Sequence, residues 1–467
     1  MLISDFSQIR DFCQTKLGRS IFYVVPDPNW ALGLEHYLPN YHIVCYDQSQ
    51  TVDYLQKQGV SVFCLEKALS KSQIAKIKRS SGGLLRAAPV QEFIKQKSQA
   101  QQPAIMVFKT SPRAEMTCQE LGYQLLAVKS SLNRRLEDKV QAVKAFAKAG
   151  VPAPPAVTGC IGDMDYAQLS SSLGRVLVLQ FARGFAGNST VFIRCRDDFE
   201  AFVSTQPQRT VKISRFIQGP SCTINACVSK QGILMSHFFY QIMRLQQCNK
   251  YEGGTSGNDY AYDYQFSSQI KDSIYQSARS MGEYMQSLGY QGIFGLDMVI
   301  DKNAEQVYVL ENNARLVASI PVFTKLQLLD QEVPLLLIHL AELMGVDYQI
   351  MVDNLNASYQ HQRQYSQLIL RNTSDTKQIY EADYQTGIYT MLDQQLVWQR
   401  AGISAADLQT RDEALLHRAP EGREIKSNLE YANLQFKYGI ISPDGTLKPQ
   451  VEPWLGELLM KNHSQAQ

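Results

Sequence analysis

The stretch GIFGLDMVIDKNAEQVYVLENNAR, residues 292–315, sets Asp297, Glu311, Asn313 and Arg315 among apolar neighbours. Two strand-like runs, GLDMVI and QVYVLENN, flank the polar turn DKNAE, a pattern that predicts an antiparallel hairpin. A turn centred near Asn303 or Ala304 places Asp297 opposite, or nearly opposite, Glu311. Facing side chains in such a pair have β-carbons roughly 4.5–5.5 Å apart. Side chains alternate along a strand, so Glu311 and Asn313 share a face, and Arg315 joins them if the strand runs that far. Two like charges facing each other in an apolar sheet need neutralising. An Asp, Glu and Asn oxygen set suits magnesium, which keeps waters and takes further oxygens from nucleotide phosphates. A surface hairpin with both acids in water has the same spacing, so spacing alone leaves the two readings open.

The rest of the chain must position this hairpin. The runs SIFYVVP, YHIVCYD, VSVFCL, AIMVFKT and YQLLAV alternate with polar, helix-compatible stretches and predict an open, mostly parallel α/β domain over residues 1–130. In LEDKVQAVKAFAKAGVPAPP, Leu136, Val140, Val143 and Ala147 fall at helical spacing, and Gly150 and Pro152 end the helix. Lys139 near its start gains nothing from the helix dipole and reads, on its own, as an exposed lysine. Residues 175–194 read strand, Gly-containing turn, strand, and residues 210–229 give two more strands around Gly219 and Pro220. YEGGTSGNDYAYDY reads as a flexible Gly-rich loop. Ile270, Ile274, Met281, Met285 and Leu288 form one helical stripe, read as core. VPLLLIHLAELMG reads as a buried helix in which His339 is a satisfied core residue. Beyond about residue 360 come short strands, SQLILRN and GIYTML, then polar helical segments, the strand-like LQFKYGIIS and a disordered tail, KNHSQAQ.

Bulk properties agree with several packed domains: the chain has 467 residues, 45% apolar and 19% charged. A net charge of +2 supplies no general pull toward nucleic acid or anionic lipid. No apolar run is long enough for a membrane helix, and the polar, acidic start does not resemble a signal peptide. Nine cysteines without CxxC spacing fit a reducing cytoplasm rather than a disulfide framework or zinc site.

Four segments in order resemble the ATP-grasp ligases over roughly residues 105–345. LEDKVQAVKAFAKAGVPAPP is similar to the entry helix, with its nucleotide-binding lysine at Lys139. ARGFAGNSTVFI resembles the Gly-rich phosphate loop, with Gly184, Gly187, Asn188, Ser189 and Thr190. VKISRFIQGPSCTINACV resembles the hinge that meets adenine, through Ser214, Phe216, Ile217 and Ser221. GLDMV and LENNAR resemble the metal-binding strand pair, with Asp297, Glu311 and Asn313 as ligands and Arg315 on the acyl phosphate or carboxylate.

The resemblance implies an N-terminal α/β domain (1–130), an α+β ATP-grasp fold with two subdomains gripping nucleotide (131–350) and a small C-terminal α+β extension (351–467). It implies ATP and Mg2+ (or Mn2+) as cofactors, and transfer of the γ-phosphoryl group to a carboxylate followed by attack of an amine. The partners implied are a small-molecule carboxylate and amine, with no nucleic acid and no membrane; a homodimer is the default for such an enzyme. Arg244, Asn258, Asp259 and Ser319 are substrate candidates, and Thr324 shares with Ser319 the alternative of helix capping. Two departures stand out. Gln180 occupies the strand position where the family has a phosphate lysine, and Ser214 and Ser221 replace acidic residues at the hinge; Lys212 or Arg215 could compensate. Bicarbonate activation, as in biotin carboxylase, and nucleotide binding without turnover are the rival readings, although no AMKM biotinyl segment is present.

Overall fold

Short β-branched runs between amphipathic helices build the N-terminal layer. In the computed structural model, which describes residues 2–184, 187–262, 265–301, 303–381 and 384–463, they pair as a parallel sheet. Its strands are β1 (Ile21–Val25), β2 (Tyr41–Cys45), β3 (Ser61–Cys64), β4 (Ala104–Val107) and β5 (Gln124–Leu126), in the order β3-β2-β1-β4-β5. The chain leaves β1 in one direction and returns on its other side at β4. The crevice at the carboxyl ends of β1 and β4 is therefore a topological switch point, where open α/β sheets bind ligands.

The entry region is two helices rather than one. Helix α1 (Ser130–Glu137) ends at Asp138, whose carboxylate accepts from the N–H groups of Val140 and Gln141 and so starts α2 (Lys139–Ala149). Gly150, in the left-handed region, closes α2 as expected. The buried face of α2 is Ala142, Ala145 and Phe146, whereas Ala147 is exposed.

A four-stranded antiparallel sheet follows, β6 (Ala156–Cys160), β7 (Leu177–Phe181), β8 (Thr190–Ile193) and β9 (Thr210–Arg215), in the order β6-β9-β7-β8. From β9 the chain crosses at residues 216–220 into a different sheet, starting with β10 (Ser221–Ser229). The Gly-Pro turn is thus a link between two sheets, not a hairpin. The larger sheet has eleven strands. Beside β10 it holds β11 (Gly232–Met235), β12 (Phe239–Met243), β13 (Thr255–Asp259), β14 (Gly292–Asp301) and β15 (Gln306–Asn313). It continues without interruption into β16 (Ser366–Arg371), β18 (Gly387–Leu392), β19 (Gln395–Arg400), β20 (Glu413–Arg418) and β22 (Glu430–Phe436). Strands β17 (Gln378–Tyr380) and β21 (Arg423–Ile425) pair separately.

Three expectations change here. The Gly-rich segment 251–264 is in part a strand: residues 251–254 form a turn, Thr255–Asp259 is strand β13, between β12 and β16, and residues 263–264 lie outside the described residues. Gly257, at φ 133°, lets the backbones approach, because a Cβ there would lie 2.0 Å from the Gln367 carbonyl oxygen. Between residue 392 and LQFKYGIIS the polar segments are mainly the strands β19 to β22, with one 3-10 turn at Ala405–Asp407, rather than helices. Asp393 and Gln394 both take positive φ (46° and 63°) and make the tight β18–β19 turn. Lys461–His463 complete helix α6 (Glu452–His463), and residues 464–467 of the expected disordered tail lie outside the described residues.

Helices α3 (Ser268–Ser287), α4 (Ile320–Leu329) and α5 (Leu335–Met344) lie among the buried side chains that back the large sheet. The Ile270, Ile274, Met281 and Met285 stripe is buried as expected. His339 on α5 is buried, and its Nδ1 accepts the Ile293 N–H at 2.9 Å. Burial holds this imidazole neutral, at about 3. Among the described residues, no helix is long and apolar enough to cross a membrane.

Candidate active site

The hairpin β14–β15 presents its acids as its spacing requires. Asp297 pairs with Glu311, and a bulge displaces the register between Asp297 and Met298, which faces Val309. Asn313 donates its Nδ2–H to Asp297 Oδ2 at 3.0 Å. The strand ends at Asn313, so Arg315 reaches the site from the following turn; its Nη2 donates to Asn313 Oδ1 at 2.7 Å. Arg315 is also held by Glu137, 3.0 Å from Nε, and lies 5.3 Å from the Phe108 ring centre. Burial and then Glu311 push the Asp297 carboxyl up to about 6. A half-buried pair of carboxylates with an adjacent carboxamide is an all-oxygen donor set that fits magnesium, whose charge would remove the repulsion.

Lys139 is not the exposed lysine that its sequence position alone suggested. It is 6% exposed, and its Nζ lies 2.5 Å from Glu311 Oε1. Its backbone N–H donates to Ala182 O, which ties α2 to the end of β7. Gln180 faces the same cavity and pairs across β7–β9 with Lys212. Cross-strand partners project from one face, so Lys212 stands beside Gln180, one strand away, although it is not itself among the residues that line the cavity. Lys212 is 2% exposed, and its side-chain ammonium makes no hydrogen bond or ion pair with a described residue. Burial, then the charge of Lys139, lowers its ammonium to about 8, with Glu311 acting in the opposite direction.

The β7–β8 connection brings Gly184, Gly187, Ser189 and Thr190 to the cavity wall, while Asn188 is exposed and off it. Residues 185–186 of this segment lie outside the described residues. Gly187, at φ 87°, passes so close to Gly254 that a Cβ would lie 2.5 Å from its nitrogen. At the crossing between sheets, Ser214, Phe216, Ile217 and Ser221 line the cavity. The Phe216 N–H is already bonded to Val176 O. Arg244 stacks over the Phe216 ring at 4.9 Å, which puts it beside the crossing rather than beside Arg315. Asn258 lines the cavity.

Asp259 points into the fold instead. It is fully buried, and accepts N–H bonds from Ala261, Ile440 and Ile441 at 2.7–2.9 Å. Ser319 lines the cavity and donates to Asn225 Oδ1, without capping α4. Thr324 is buried within α4, away from the cavity lining. An acidic cluster elsewhere, Asp330, Glu332 and His361, is bridged by the Arg363 guanidinium and so is an ion-pair network.

The cavity itself, about 1530 Å3, exceeds these residues. Asp27, Trp30, Phe108 and Lys109 enter it from the ends of β1 and β4, at the switch point. Gln367, Arg371, His417, Glu430, Asn433 and Gln435 enter from β16, β20 and β22. The alternation of Gln367, Ile369 and Arg371 along SQLILR was the only trace of this wall in the sequence.

Residues 136–319 match the model of a family described as an ATP-grasp domain. The chain is also similar to solved structures. A biotin carboxylase–β,γ-ATP complex from Campylobacter jejuni is 14% identical, with TM-score 0.58 over 90% of this chain and 87% of that one. An N5-carboxyaminoimidazole synthase from Aspergillus clavatus, with ADP and 5-aminoimidazole ribonucleotide, is 10% identical, with TM-score 0.57 over 95% and 99%. An L-amino acid ligase from Bacillus licheniformis is 11% identical, with TM-score 0.56 over 95% and 97%. At these identities the likeness is one of fold.

Proposed function

We propose that the chain, whose residues 136–319 match an ATP-grasp domain and whose fold is like that of a biotin carboxylase, is an ATP-dependent ligase joining a carboxylate to an amine. The observation that carries this reading is the Asp297–Glu311 pair facing one large cavity with Arg315. A carboxylate oxygen attacks the γ-phosphorus of ATP, the bond to the β–γ bridging oxygen breaks, and ADP departs. The neutral amine nitrogen then attacks the acyl carbon, the C–O bond to phosphate breaks, and the departing phosphate takes up the proton that the nitrogen gives up.

Each residue has a place in this scheme. Asp297, Glu311 and Asn313 would hold magnesium, or manganese, which when bound offsets charge on the phosphates. Lys139 would exchange its bond to Glu311 for phosphate oxygens. Lys212 would supply the second phosphate cation, and Gln180 a neutral hydrogen-bond donor beside it. Main-chain N–H groups at Gly184, Gly187 and Ser189 would cradle the terminal phosphates. Ser214, Phe216, Ile217 and Ser221 would flank the base. Arg315, already oriented by Glu137 and Asn313, would meet the acyl phosphate with its planar fork.

The test is phosphate release from Mg·ATP with pooled carboxylic acids and pooled amines. The ligase reading requires release that depends on both pools. Release driven by bicarbonate and biotin would replace it with carboxylation, and nucleotide binding without release would replace it with a regulatory role.

A further inference from the structure

The crevice at the carboxyl ends of β1 and β4 carries two aromatic rings. Phe108 is the first residue after β4, and Trp30 sits in a 3-10 turn, Pro28–Ala31, that follows β1. Their ring centres are 4.2 Å apart, with the planes tilted by 52°. Both side chains line the cavity and both are half-buried, so part of each ring is left to the cavity. They pack against a buried cluster that includes Leu32, Val317, Val322 and Ile403, which line the cavity as well. The result is an apolar shelf at the topological switch point.

The shelf is held in place, and the charges beside it are matched. Asp27 Oδ1 accepts the Asn29 N–H at 2.9 Å, and Asn29 Oδ1 accepts from Thr51 Oγ1 at 2.8 Å, which fixes the turn that carries Trp30. The charge of Arg79 opposes that of Asp27. Lys109 is bonded to Glu137, and Lys325 Nζ lies 2.6 Å from Glu35 Oε1. An independent observation ties the shelf to the reacting end of the site. The Arg315 guanidinium carbon lies 5.3 Å from the Phe108 ring centre, and Glu137, Asn313 and the Leu316 carbonyl fix its direction.

A carboxylate drawn to Arg315 has the Phe108 ring beside it, so the group attached to that carboxylate meets apolar surface first. Covering such surface releases water from it and favours a non-polar ligand group. We propose that the shelf of Trp30 and Phe108 binds the non-polar side group of the carboxylate substrate. The acid activated is then one with an aromatic or extended aliphatic group, rather than a small or doubly charged one. This rests on the ligase reading and deepens it, by naming the class of acid. Trp30 and Phe108 come from the N-terminal domain and Ile403 from the C-terminal extension, so both flanking regions take part in choosing the substrate.

Hydroxamate formation by the full chain with Mg·ATP, hydroxylamine and single acids tests this. Hydroxylamine stands in for the unidentified amine: its nitrogen attacks the acyl carbon, the C–O bond to phosphate breaks, and phosphate takes up the proton. One series is acetate, butanoate, hexanoate and phenylpropanoate, with succinate as the charged control. The other is L-alanine, L-leucine and L-phenylalanine, with L-aspartate as the control. In the series that is turned over, kcat/KM should rise with apolar size, by about threefold or more per added methylene. Trp30→Ala should lower kcat/KM for the largest apolar acids about tenfold or more, chiefly through KM, and leave the smallest acid within about twofold. Trp30→Phe should retain most of the preference. The wild-type series stands by itself if Trp30→Ala does not fold. Rates that stay flat or fall with apolar size, a highest rate with succinate or aspartate, or an equal loss for all acids in Trp30→Ala would overturn the proposal. Absence of hydroxamate with every acid would instead remove the ligase reading beneath it.

Discussion

Asp259 and Asp297 lie in strands of the same sheet, and each carboxyl is pushed up to about 6, with burial as the first cause. Their surroundings differ. Asp259 receives three backbone N–H groups and ties β13 to the chain after β22. Asp297 receives one carboxamide N–H from Asn313 and faces the charge of Glu311 across the pair. A raised carboxyl therefore does not mark function by itself. The distinction is whether the fold supplies donors for the charge or leaves it facing another charge in a cavity.

The largest contrast should come from neutralising each acid in turn. Glu311→Gln keeps the volume but removes a ligand charge, and should lower ATP-dependent phosphate release by about 10²–10³-fold in a folded protein. Full activity at limiting magnesium would place the metal elsewhere. Asp259→Ala should do the opposite. It leaves three buried N–H groups unpaired, so denaturant unfolding should show a loss of about 2–4 kcal/mol, with little change in nucleotide affinity per folded molecule. A variant as stable as the wild type would show that those bonds do not hold the fold.

Lys212 sharpens the comparison, because its buried ammonium has no hydrogen-bond acceptor or ion-pair partner among the described residues. Lys212→Met should weaken Mg·ATP binding by calorimetry about tenfold or more, by removing a charge-assisted bond. The same change should raise the melting temperature of the nucleotide-free chain by about 1–3 °C. The sign follows from its lowered ammonium: the folded form binds its proton less tightly than the unfolded one. The penalty is full below about pH 8 and is relieved as pH rises from there to the ordinary 10.5. The stability gap between wild type and Lys212→Met should therefore narrow over that window. The smallest effect is expected for Gln180→Lys. A lysine alone at this position resembles the family pattern, but here it would stand beside Lys212. Its gain in affinity should stay below about threefold, and adding Lys212→Gln should restore a larger gain; a large gain from the single change would mean that Lys212 does not approach the phosphates.

The sequence disclosed what local pattern controls. Parallel strands 21–126 alternate with helices, and the Asp297–Glu311 register follows from a short turn between two apolar runs. It concealed what tertiary pairing controls. Gly257 reads as a loop residue until Gln367 is seen pressed against it. Asp393 and Gln394 make a hairpin turn without the Asn-Gly signature. Lys139 looks solvated because Glu311 is distant in sequence. The wall from Arg371 to Gln435 could not be placed, since its strands join a sheet that begins before residue 230. Charge pattern along the chain locates acids; only pairing shows which of them are satisfied.

The central claim is that the β14–β15 acids bind divalent metal together with nucleotide. Titration of Mn2+ into the ADP-saturated chain, followed by electron paramagnetic resonance, tests it most directly. The account requires one or two tightly bound Mn2+ ions in the wild type, with binding weakened at least about tenfold in Glu311→Gln and in Asp297→Asn. Mn2+ held as tightly by both variants as by the wild type would contradict it.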